Sequence, residues 1–124
     1  MLKQTLAAVT VLAFATAPLV GQAQRSAGTE TTITGQVIDL NCHTTQGASG
    51  AGHKSCAQAC AKAGVALAIL GSDGTVYVPV SAKPGDPQNS KLVPFAEEKV
   101  KVTGTARFAE GLHTIEITSI AAAT

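Results

Sequence analysis

Two stretches rich in β-branched residues each carry a glycine in their interior, Thr34-Gly35 within residues 31–40 and Thr103-Gly104 within residues 99–107. Glycine weakens a strand, so one placed there marks a sharp bend, a bulge or a close backbone approach. In the first stretch Ile33 and Val37 share a parity. In the last, Val100 and Val102 alternate with Lys99 and Lys101. After the turn at Glu110-Gly111, Ile115 and Ile117 alternate with Glu116 and Thr118 over residues 113–119. Residues 65–70 and 75–80, joined by Gly71-Ser72-Asp73-Gly74, read as a hairpin with a glycine-rich turn. Five short strands result, two of them coiled at a glycine.

Such a set suits a mainly β fold, a small five-stranded barrel of the OB type, because glycine lets a strand coil tightly enough to close. Residues 81–94 hold Pro84, Gly85, Pro87 and Pro94, which predicts a surface loop without a regular helix. A short turn over residues 95–98 would plug one barrel end. One helix is expected, inserted between strands one and two. Ser55-Cys56-Ala57-Gln58 fits a capping box and Gly64 a left-handed C-cap, which predicts a helix over residues 56–63. Two turns do not hold alone in water, so another bond must secure this segment.

Met1-Leu2-Lys3, the apolar run over residues 6–20 and the small residues Gly21-Gln22-Ala23 have the three parts of a secretory signal peptide. Cleavage after Ala23 is expected. Residues 24–30 then form a flexible leader and residues 31–124 a single domain, periplasmic or secreted. The apolar run falls short of the roughly 20 residues that span a bilayer, and no later run matches it, so no membrane span is expected after cleavage.

The chain has nine Lys and Arg against eight Asp and Glu, and losing Lys3 would balance them. With no basic cluster, and Tyr77, Phe95 and Phe108 the only aromatics beyond the leader, a nucleic-acid partner is not expected. No carboxylate pair or Ser-His-Asp arrangement suggests an enzyme.

Reactive side chains concentrate in Cys42-His43 and in His53-Lys54-Ser55-Cys56-Ala57-Gln58-Ala59-Cys60. Three cysteines cannot all pair within one exported chain, so at least one is left to ligate, react or hide. Cys56 and Cys60 are one helical turn apart, which places them side by side but too far apart for an easy disulfide. Cys56 would be the first helical residue, where the positive end of the helix favours an accessible thiolate. Cys42, at the end of strand one, would reach the helix through the glycine-rich segment 44–52.

Cys42, His53, Cys56 and Cys60 make a Cys3His ligand set suited to tetrahedral zinc, and the thiolates equally suit reduced copper. His43 competes with His53 for the nitrogen position. Asp39 is a candidate to orient a histidine from behind or simply to cap a loop. His113 reads as a barrel-rim residue. An alternative is a disulfide from Cys42 to Cys56 or Cys60 stapling a non-enzymatic binding domain, closing a loop of about 15 residues and stabilising by roughly 3 kcal/mol. The partner would then be an unknown protein or small molecule on the barrel face. Thiol redox chemistry is disfavoured without a C-x-x-C pair.

The C-x3-C pair with a distal histidine resembles the copper sites of exported copper-delivery and electron-transfer proteins, although it lacks their proline and methionine. More broadly, Thr34-Gly35-Gln36-Val37-Ile38-Asp39-Leu40-Asn41-Cys42, the segment from His53 to Gly64, Asp73-Gly74-Thr75-Val76-Tyr77 and Val102-Thr103-Gly104 resemble a group of small exported bacterial OB-like β-barrel proteins with a Cys…His-x2-Cys-x3-Cys cluster. The resemblance implies an exported barrel domain bearing a cysteine cluster, and it lends no enzymatic activity.

Overall fold

The computed structural model describes residues 27–124; the expected signal peptide and the first part of the expected leader lie outside them. Five strands, β1 (Thr29–Asp39), β2 (Leu67–Gly71), β3 (Val76–Pro79), β4 (Lys99–Ala109) and β5 (Leu112–Ala122), close a barrel in the order β1-β2-β3-β5-β4. Neighbours run antiparallel except β3 and β5, whose parallel pairing is centred on Val78 with Thr114 and Pro79 with Ile115. The expected five-stranded OB-like barrel is therefore present. Strand β1 begins at Thr29, two residues earlier than the sequence pattern suggests.

Closure depends on both interior glycines. Strand β1 pairs with β4 through Gln36 and with β2 from Gly35 onward, so the two seams overlap at Gly35 and Gln36. A Cβ at Gly35 would run into the Leu70 carbonyl oxygen, and one at Gly104 into that of Glu116. Gly104 also sits at the register shift between β4 and β5. Neither position needs an unusual φ; each needs the absence of a side chain so that two backbones can meet.

Alternation then fills the barrel. Ile33 and Val37 from β1, Leu67 and Ile69 from β2, Val100 and Val102 from β4, and Ile115 and Ile117 from β5 form one buried cluster with Leu92 and Ala61. Each large aliphatic side chain so buried contributes about 1.5–3 kcal/mol of transfer free energy. Lys99 and Lys101 stay exposed on the outer parity, as expected.

The connections depart from expectation in number. Two helices, α1 (Leu40–Gln46) and α2 (Lys54–Lys62), lie between β1 and β2 instead of one. A third, α3 (Asn89–Leu92), followed by a 3-10 turn at Val93–Phe95, occupies the proline-rich segment expected to be helix-free. Pro87 precedes this helix and Pro94 falls in the first turn of the 3-10 segment, so the prolines bracket a single helical turn without breaking it. Leu92 is thereby carried into the barrel cluster, and Val93 and Phe95 pack against it.

Candidate metal centre

Strand β1 delivers an acid to the place where its pattern calls for an apolar residue. Ile33, Val37 and Asp39 share one parity, and Asp39 is fully buried. Its Oδ1 accepts the Cys42 backbone N–H at 2.9 Å and so caps α1. Gly47, at φ 67°, ends that helix. Cys42 is therefore the third residue of a helix, not the last of a strand, and much of the segment expected to be a flexible loop is helical. Thr44 and Thr45 turn their hydroxyls back onto the carbonyls of Leu40 and Asn41.

Helix α2 also starts earlier than its sequence suggests. A 3-10 turn over Ala51–His53 runs directly into Lys54, so the backbone is already helical at Ser55 and the expected capping box does not form. Cys56 becomes the third helical residue. At the other end Gly64, at φ 101°, lets the Gly64 N–H reach the Ala61 carbonyl and the Val65 N–H reach the Cys60 carbonyl. These two bonds complete a Schellman cap, as the glycine predicts. What secures the helix is partly polar: Asn89 donates to the carbonyls of Ala61 and Val65 and accepts the Leu67 N–H, while Gln58 donates to the Val93 carbonyl.

Helix α1 and helix α2 bring the reactive side chains together at the mouth of the barrel. Ligand atoms of Cys42, His53 and Cys56 lie within 4.8 Å of one another, and so do those of Asp39, Cys42 and Cys60. Cys42 belongs to both groups. Donor atoms bound to one zinc ion at about 2.0–2.3 Å sit about 3.5 Å apart, so either group closes on an ion with small rotamer adjustments. The expected set of Cys42, His53, Cys56 and Cys60 does not form one mutually close group of four among the described residues; it divides between the two groups, and Asp39 joins the second. His43 belongs to neither.

All three cysteines are free, so the disulfide offered as an alternative is not formed. Cys56 is exposed and Cys42 and Cys60 half-buried. Burial first, and then the adjoining Asp39 carboxylate, raises the Cys42 thiol above its ordinary range. The same two causes, with Cys56 contributing, push Cys60 up to about 11. A cation placed among these groups reverses that electrostatic balance, because it stabilises every anion at once.

His53 is oriented from behind. Its Nδ1 lies 3.0 Å from Oε1 of Glu97, whose side chain is fully buried. The other carboxylate oxygen, Oε2, accepts the Gly50 backbone N–H at 2.8 Å and the Gln36 side-chain amide at 3.1 Å. With both oxygens engaged as acceptors, Nδ1 carries the proton and Nε2 keeps the lone pair that a metal requires. Glu97 adopts φ 63°, held in place where its N–H meets the Val37 carbonyl and the Glu98 carbonyl accepts the Val37 N–H. Lys54 pairs with Glu98 beside it.

Two contributors escaped the sequence reading. Asp39 as a donor had a signal, since it falls on the inward parity of Ile33 and Val37, where an acid is costly unless something meets it. Glu97 had none, because its tie to His53 joins residues far apart in the chain. His113 packs edge-on against Tyr77 and tilted against Phe108, with ring centroids 5.8 and 4.7 Å away, and takes no part in either donor group.

No protein-family model, curated protein or solved structure matches this chain.

Proposed function

We propose that this is an exported, non-enzymatic protein that binds a zinc or copper ion through Cys42, His53, Cys56 and Cys60, for metal handling or to staple the helices to the barrel. The observation that carries the reading is the buried Glu97 holding Nδ1 of His53 while the imidazole stands within 4.8 Å of the Cys42 and Cys56 ligand atoms. A carboxylate behind a histidine is the usual companion of metal ligation, because it fixes the tautomer and raises the basicity of the far nitrogen.

Depth within the site suits handling as well as stapling. Cys56 is exposed and offers a first contact to an arriving or departing ion, and Cys42, half-buried, is shared by both donor groups. A bound ion would also link the β1–α1 junction to α2.

The test is a competition titration of the reduced protein with zinc and with copper(I), using a chromophoric chelator. Wild type should take up at least one of the two ions. Cys42→Ser removes the donor common to both groups and should abolish uptake, and Cys56→Ser should weaken it severely. Unchanged affinity in both variants would refute the ligand assignment.

A further inference from the structure

We infer that Asp39 is itself a metal ligand, and that the site is thereby built for a divalent ion of the zinc type in preference to copper(I). The inference rests on the metal-binding reading above and adds both a ligand and a metal preference to it.

Asp39 caps α1 through Oδ1, and its carboxylate stands against the thiols of Cys42 and Cys60. Asparagine or serine caps a helix about as well without bringing a charge. Yet the residue is a carboxylate at 0% exposure on the core-facing parity of β1, and its Oδ2 is buried without a hydrogen-bond partner among the described residues. The ion pairs among those residues join His53 to Glu97, Lys54 to Glu98 and Arg107 to Glu116; none includes Asp39. Thiols are weak donors and carry no counter-charge, and a buried carboxylate without one is unfavourable, so such groups are met by a cation or a metal. What stands beside it is the pair Cys42 and Cys60, each with a ligand atom within 4.8 Å.

Metal chemistry follows from that donor set. Zinc accepts oxygen, nitrogen and sulfur ligands together, at similar distances. Copper(I) is satisfied by soft sulfur and gains little from a carboxylate oxygen. Asp39 and the three thiolates carry four negative charges. A divalent ion leaves a net charge of −2 in this half-buried place and a monovalent ion −3, so the burial penalty also favours the divalent ion.

Asp39→Asn is the discriminating variant, since asparagine preserves the cap and the shape while removing the anionic ligand. Zinc and copper(I) affinities would be measured side by side for wild type and variant. The expected result is a loss of zinc affinity of ~10-fold or more, in the range seen when groups supporting a metal are removed, with copper(I) affinity changed less than about 3-fold. An equal fall for both ions, or no fall for zinc, overturns the inference and leaves the metal reading standing. A wild type that binds copper(I) alone does the same. A wild type that binds neither ion overturns both. Should Asp39→Asn fail to fold, the Asp39 carboxyl carbon resonance of the wild type supplies the answer: it should move on zinc addition, and an unmoved resonance overturns the assignment.

Discussion

Replacing Glu97 with Gln tests the histidine half of the site with little disturbance to the fold. In the native protein Oε1 faces Nδ1 of His53, and Oε2 takes donors from Gly50 and Gln36. Glutamine has a single oxygen, and the two donors of Gly50 and Gln36 claim it. Its NH2 group then points at Nδ1, which must become an acceptor, and the imidazole proton moves to Nε2, the nitrogen needed for the metal. The variant therefore preserves the hydrogen-bond count while holding the wrong tautomer. Loss of this support should cost ~10- to 100-fold in zinc affinity, equivalent to about 1.4–2.7 kcal/mol. Stability of the metal-free form should fall by only about 1 kcal/mol, the order expected when hydrogen bonds lose their charge assistance and a buried charge disappears with them. Both residues take the same positive φ at position 97, so backbone strain cancels from the comparison. The assays are zinc competition and urea unfolding of the metal-free protein, and a cycle with His53→Ala isolates the coupling. In the His53→Ala background Glu97→Gln should have no further effect on zinc affinity. Zinc affinity unchanged within about 3-fold, or the same loss with and without His53, would refute the tautomer argument.

Further outcomes follow from the same structure. In the metal-free protein at pH 8, Cys56 should alkylate before Cys60. A thiol with its pKa pushed up to about 11 is ~0.1% thiolate at that pH, so Cys60 labelling should accelerate about tenfold per pH unit until pH approaches 11; a plateau near pH 8–9 would contradict this. Metal loading should protect the cysteines that ligate. Gly104→Ala drives a Cβ into the Glu116 carbonyl oxygen and should destabilise by roughly 1–3 kcal/mol or more in urea unfolding, whereas an exposed alanine change such as Lys101→Ala should stay within about 0.5 kcal/mol. Leu92→Ala, which empties a fully buried position under the barrel, should cost about 2–5 kcal/mol; a cost below 1 kcal/mol would mean that α3 is not seated as described.

Barrel and site were legible to different depths. Alternation at Val100 and Val102 and at Ile115 and Ile117, and the glycines at 35 and 104, carry the strands and their closure because strand side chains repeat with a period of two and a close backbone approach leaves glycine as its trace. The extra helices were harder. The signal for α1 was Asp39 as N-cap with Gly47 as terminator, and the threonines and glycines between and after them made the segment read as loop. One turn of α3 is below the length at which apolar periodicity speaks. Among the site residues, the cysteines and His53 are rare enough to stand out in any fold. Choosing between His43 and His53 needed the tertiary partner Glu97, which no local pattern connects to either. Ser55 misled for a physical reason: a capping residue must be the last non-helical one, and the 3-10 turn had already wound the backbone by then.

In the function proposed, Cys42 anchors a metal site assembled from α1, α2 and the end of β1. Native mass spectrometry of the purified protein under non-reducing conditions, repeated after denaturation, puts that site to the test. A metal site there should give a bound zinc or copper ion that leaves on denaturation and three thiols that then react. A metal-free protein carrying a disulfide, or a reduced protein that remains metal-free after exposure to both ions, would contradict it.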